Sequence, residues 1–153
     1  MGAAFTVAMG AAQYKAQGEI GKFNQRVNNR NALILEGQAD QIEAKAEFDI
    51  AQFEKNFIKI EGETKVALAK SGVVMDSGSA YNIMLSNAYE AQLQENLIRY
   101  NSQVAAANKM EEANFARIKG TMARNESKLA QIQTVAQTGS NLYSMMNKPK
   151  GTV

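Results

Sequence analysis

The side chains that could do chemistry here are fifteen carboxylates, seventeen lysines and arginines, and a scatter of hydroxyls and amides; cysteine, histidine and tryptophan are absent. Their absence excludes disulfide scaffolds, thiolate or imidazole metal sites, cysteine nucleophiles and histidine-based triads. Carboxylates such as Glu111 and Glu112 are sequence neighbours, so on a helix they point to different sides, poor geometry for paired acid and base work. No phosphate loop, nucleophile elbow or metal-ligand cluster is present. The sequence therefore predicts no catalytic residue, no cofactor and no metal, and reads as a non-enzyme.

What remains is charge. Its net value, +2, is too small to make nucleic-acid binding the default, but its distribution is uneven. Residues 1–35 carry +3, 36–61 carry −4, 62–79 are neutral, 80–112 carry −2 and 113–153 carry +5. Lys22, Arg26 and Arg30 recur every four residues, and Arg117, Arg124 and Lys128 lie in the second basic segment. These six are the candidates for meeting an anionic partner: DNA phosphates, lipid headgroups or an acidic protein ring. A solvated polar face is the plainer reading of the same residues.

The elements that must position these groups are helices. A single proline, Pro149, and abundant Ala, Gln, Asn, Glu, Lys and Leu leave some 148 residues without an obligatory breaker. Residues 1–16 open with a stretch that is uncharged as far as Tyr14, shorter than the roughly 20 apolar residues of a membrane span and without the basic start of a secretory signal. MGAAFT fits the loose myristoylation pattern, but no polybasic second signal accompanies it. Ala4, Ala8 and Ala12 form a smooth face suited to close helix packing, while Phe5, Val7 and Met9 beside it are candidates for membrane insertion.

From residue 17 to 70 apolar positions keep helical spacing, and Ile42, Phe53 and Thr64 lie eleven apart, the repeat of a straight or slightly right-handed helix. SGVVMDSGS, residues 71–79, is turn chemistry, and Ser79 is placed to cap the next helix. The pattern resumes through Leu85, Leu93, Leu97 and Tyr100 to Leu129, Ile132 and Ala136, giving a second helix over 80–138 and a loose tail over 139–153. The predicted fold is all-α: an extended antiparallel hairpin of two long helices, the second about 85 Å long. Such a pair leaves apolar surface wet and cannot easily offset its ordering entropy alone, so it should depend on an oligomer, a ring or tube. Phe53, Phe57, Leu97 and Tyr100, with the three alanines, are the candidate packing residues.

Over roughly residues 8–115 the sequence resembles the internal virion protein B family of T-seven-type short-tailed bacteriophages. The resemblance lies in GAAQYKAQGEIGKFNQRVNNRNA leading into a long helix, then a small-residue turn made by Ser71, Gly72, Val73, Ser77, Gly78 and Ser79, then the run Ile98, Arg99, Tyr100 and Asn101. Related sequences often have Pro and Asp where this chain has Ala80 and Asn82. The resemblance implies an ejection protein of the internal core, packed inside the capsid at the portal vertex. Its implied partners are copies of itself, the other internal core proteins, the portal and genomic DNA. It further implies exit with the genome and a part in a DNA-translocation conduit in the host outer membrane. The competing class is a helical scaffolding or filament-forming protein that never touches a membrane.

Overall fold

The computed structural model describes residues 2–73 and 78–147. It contains two helices, α1 (Gly2–Lys70) and α2 (Gly78–Met146), packed against each other as an antiparallel hairpin, with no strand among the described residues. The all-α hairpin predicted from periodicity is what the chain forms. Three boundaries differ. Residues 2–16 are continuous with the rest of α1, because nothing in GAAFTVAMGAAQYKAQ interrupts a helix, and α2 begins at Gly78 rather than at 80. The expected tail is helical as far as Met146, where Leu142, Tyr143 and Met145 continue the pattern; residues 148–153 lie outside the described residues.

The first helix is stopped by backbone geometry. Gly72 sits at φ +74°, and its N–H donates to the carbonyl of Ala69 at 3.2 Å while the N–H of Val73 reaches back to Leu68 at 3.3 Å. This pair of bonds is a Schellman motif, which a glycine satisfies without a Cβ penalty. The Ser71 hydroxyl adds a bond to the Leu68 carbonyl at 2.7 Å. Gly78, at φ +67°, opens α2, so Ser79 stands inside its first turn rather than before it. The middle of the expected turn, 74–77, lies outside the described residues.

The chain divides into two compact units. The terminal unit joins Met1–Ile34 to Glu112–Val153, and the central unit is Leu35–Glu111. Each has its own seam. In the terminal unit the inward positions are Gly18, Gly21, Gln25, Asn28 and Ala32 on α1, and Ala113, Ala116, Gly120, Ala123, Ser127, Ala130 and Thr134 on α2. These alternate by three and four, a seven-residue repeat of the kind that favours left-handed supercoiling. In the central unit the inward positions are Ile42, Ala46, Ile50, Phe53, Phe57, Glu61, Thr64 and Leu68, facing Ala80, Met84, Asn87, Ala91, Glu95, Ile98, Ser102 and Ala106. Here the steps follow an eleven-residue repeat, which favours the opposite hand. The eleven-fold spacing read from Ile42, Phe53 and Thr64 thus holds for the central unit, and the terminal unit follows seven.

The fully buried hydrophobics are Ala32, Ala39, Ala46, Ile50, Ala80, Ala91, Ala106 and Ala113, nearly all alanines. In the terminal unit the small residues let the two backbones approach closely, and that closeness leaves no room for large side chains between them. Ile20, Phe23, Val27 and Ile34, which carry helical spacing in the sequence, accordingly point outward, as do Leu85, Leu93, Phe115 and Ile118. The terminal unit is built on methyl groups and bare backbone, the central unit adds Ile50, Phe53 and Phe57 to its seam, and many of the larger hydrophobes of both are left for something else.

Candidate functional site

The terminal unit is held by side chains that reach across the seam to backbone carbonyls. Ser127 Oγ donates to the Gln17 carbonyl at 2.6 Å, Arg124 Nη1 to the Gly18 carbonyl at 3.0 Å, and Gln131 Nε2 to the Tyr14 carbonyl at 2.9 Å. Thr134 Oγ1 donates to Gln17 Oε1 at 2.9 Å. A carbonyl on a regular helix already accepts from its own helix, and its second lone pair is exposed only where no side chain shields it, which glycine provides at Gly18 and Gly21. A β-carbon on Gly21 would run into the Ser127 side chain, and one on Gly120 would lie 3.1 Å from Asn28 Cβ.

By sequence the terminal unit holds ten basic residues against three acidic, +7, and the central unit seven against twelve, −5. All six residues read as anion-binding candidates belong to the terminal unit, but they are not equivalent. Arg26, Arg30, Arg117 and Lys128 are exposed. Lys22 is paired with Glu19 at 3.1 Å, and that hydrogen bond, with the charge of Lys22, holds the Glu19 carboxyl below its usual range. The pair therefore stabilises above the ordinary glutamate pKa and loses that contribution as pH falls through the lowered value, weakly, because both groups face water. Arg124 is half-buried and spends its guanidinium on the Gly18 carbonyl, so it clamps the helices.

At the chain ends of the same unit, Ala4, Ala8 and Ala12 are exposed and do not form the seam, and Phe5, Val7 and Met9 are exposed beside them. Two grooves flank the seam here. One, of about 460 Å³, is lined by Val7, Ala11 and Tyr14 of α1 and Val135, Gly139 and Leu142 of α2. The other, of about 390 Å³, has Phe5, Met9 and Gln13 on one wall and Gln137 and Asn141 on the other. Among the described residues no helix is long and apolar enough to cross a membrane.

In the central unit Phe53 and Phe57 stack at 6.4 Å between ring centroids and are half-buried in the seam. Leu97 and Tyr100 are 50% and 64% exposed. Arg99 bridges the helices to Glu47 at 2.8 Å, with both side chains exposed. Among the amides, Asn87 reaches the seam, while Asn24, Asn31, Gln38, Gln94, Asn101 and Asn108 are exposed.

Sequence reasoning missed the clamping role of Arg124 and the pairing of the uncharged N-terminus with an equally uncharged stretch of α2. The first needed the register between helices; the second was available from the absence of any charge over residues 129–147. Comparison with protein-family models, with curated proteins and with solved structures returned no match.

Proposed function

We propose that this chain is a structural subunit of a helical assembly, an internal virion protein of the core stacked on the portal of a short-tailed bacteriophage. It leaves the capsid with the genome and contributes to a DNA-translocation conduit in the host outer membrane. The observation that carries the assembly part is how much apolar side chain the hairpin leaves outside: small residues fill the seam of the terminal unit and alternate with larger ones in the central unit, while Phe23, Leu33, Phe48, Ile58, Leu97 and Phe115 stand in water. A seam of methyl groups buries little apolar area per residue, against an ordering cost of roughly 1–2 kcal/mol for each backbone residue fixed. Exposed hydrophobes on this scale mark an interface, and copies of the same chain in a ring or tube are the simplest cover.

The virion setting comes from the sequence resemblance. The uncharged stretches 2–14 and 129–147 suit a protein that meets lipid after ejection, and the net positive terminal unit suits contact with DNA phosphates, the portal or other core proteins. Mass spectrometry of purified virions before and after genome release tests this reading. The chain should be present in filled particles and depleted from emptied ones; its absence from filled particles would overturn the proposal.

A further inference from the structure

α1 carries no charge from Gly2 through Tyr14, and α2 carries none from Leu129 through Asn147. Contacts of Gln131 with Tyr14 and of Thr6 with Met145 lay these stretches side by side in the terminal unit. Lys15 and Lys128 close them at a common level, since Tyr14 meets Gln131 and Gln17 meets Ser127.

The α2 stretch has three faces. Gln131, Thr134 and Thr138 occupy the seam. Gln133, Gln137, Ser140 and Ser144, spaced four, three and four apart, make an uncharged polar stripe. Ile132, Val135, Leu142 and Tyr143 make an apolar one; Ile132 is 65% exposed and Val135 58%. The larger groove decides how the helices combine, for it sets Val7, Ala11 and Tyr14 of α1 against Val135, Gly139 and Leu142 of α2. That side is apolar on both helices. The opposite groove joins Phe5 and Met9 to Gln137 and Asn141, a mixed wall.

We infer that the Val7–Tyr14 and Val135–Leu142 side of the paired ends is a single lipid-docking face, which lies in the surface of a bilayer bearing anionic headgroups, with α2 contributing as much as α1. This rests on the proposed contact with a membrane and goes beyond it in assigning the face. A water-filled or protein interface tolerates charge at its rim, and elsewhere in the terminal unit exposed hydrophobes such as Phe23 and Phe115 do have charged neighbours. Only over residues 2–14 and 129–147, which Lys148 and Lys150 follow in the sequence, is charge missing from every side of both helices, and that is the condition an acyl environment imposes. Neither helix is long and apolar enough to cross a membrane, α2 carries the uncharged polar stripe of Gln133 and Gln137, and a helix pair that is apolar on one side and polar on the other settles in the interface plane. Lys15 and Lys128, with Arg26 and Arg30 beyond, then meet anionic headgroups.

The native absence of cysteine permits full-length single-cysteine variants, Val7→Cys, Val135→Cys, Gln133→Cys and Leu97→Cys, each labelled with an environment-sensitive NBD fluorophore and checked for helicity by circular dichroism. On adding phosphatidylcholine–phosphatidylglycerol vesicles, the labels at 7 and 135 should shift to the blue and brighten, while those at 133 and 97 should not. A shift at 7 without one at 135 would overturn the two-helix face and leave membrane contact standing. Equal shifts at 133 and 135 would overturn its sidedness. A shift at 135 driven by protein concentration alone would give the face to a second copy. No shift at any position, with no flotation of unlabelled protein with vesicles, would overturn the membrane reading as well.

Discussion

Ser127 donates its hydroxyl to the carbonyl of Gln17 at 2.6 Å in a seam where Gly21 leaves no space for a β-carbon. Close approach and the cross-helix bond are one feature: the serine reaches a backbone carbonyl because the neighbouring residue has no side chain. Gly21→Ala should therefore cost about 1–3 kcal/mol by overpacking, read as a fall in thermal midpoint. Gly37, with nothing within 4 Å of its missing β-carbon, supplies the contrast. Gly37→Ala should raise the midpoint, by up to about 1 kcal/mol of helix propensity.

Gly72 differs from both, because its φ of +74° lies in the left-handed region although open space surrounds it. Gly72→Ala should destabilise by about 1–2 kcal/mol despite the absence of any clash. Chemical denaturation of the two alanine variants separates backbone strain from crowding: Gly72→Ala should lose stability and Gly37→Ala should gain it.

These glycines also show where the sequence was legible and where it was not. SGVVMDSGS stood out as a turn because Gly72 and Gly78 interrupt a long periodic run, and both do adopt positive φ. Gly18, Gly21 and Gly120 gave no signal in the sequence, because a glycine chosen for close approach is locally indistinguishable from one that is tolerated. The prominent apolar positions, such as Phe23 and Leu97, were visible as a pattern, but periodicity says only that they share a face. That the seam of the terminal unit would instead be mostly alanine, glycine, serine and threonine follows from the pairing of two particular helices, which one helix's sequence does not contain. The basic residues were counted correctly, yet the separation of Arg124, bonded to the Gly18 carbonyl, from exposed Arg26 and Arg30 required the register.

That separation is testable. Arg124→Ala should destabilise by about 1.5–3 kcal/mol, the range for a hydrogen bond from a charged donor, read as a fall in the thermal midpoint. Arg26→Glu with Arg30→Glu should leave the midpoint nearly unchanged but weaken binding to duplex DNA or to anionic vesicles. The wild-type association should fall steeply between low and physiological salt. Salt-insensitive binding would identify these arginines as a solvated face.

The measurement that bears most directly on the account is sedimentation equilibrium of the full chain across a wide concentration range, beside Leu97→Glu with Tyr100→Glu. These two side chains are exposed, so their replacement should leave the helix content and the hairpin intact. The account predicts a concentration-dependent, self-limiting oligomer for the wild type and a shift toward monomer in the double variant. A wild-type chain that stays a folded monomer at every concentration would contradict it.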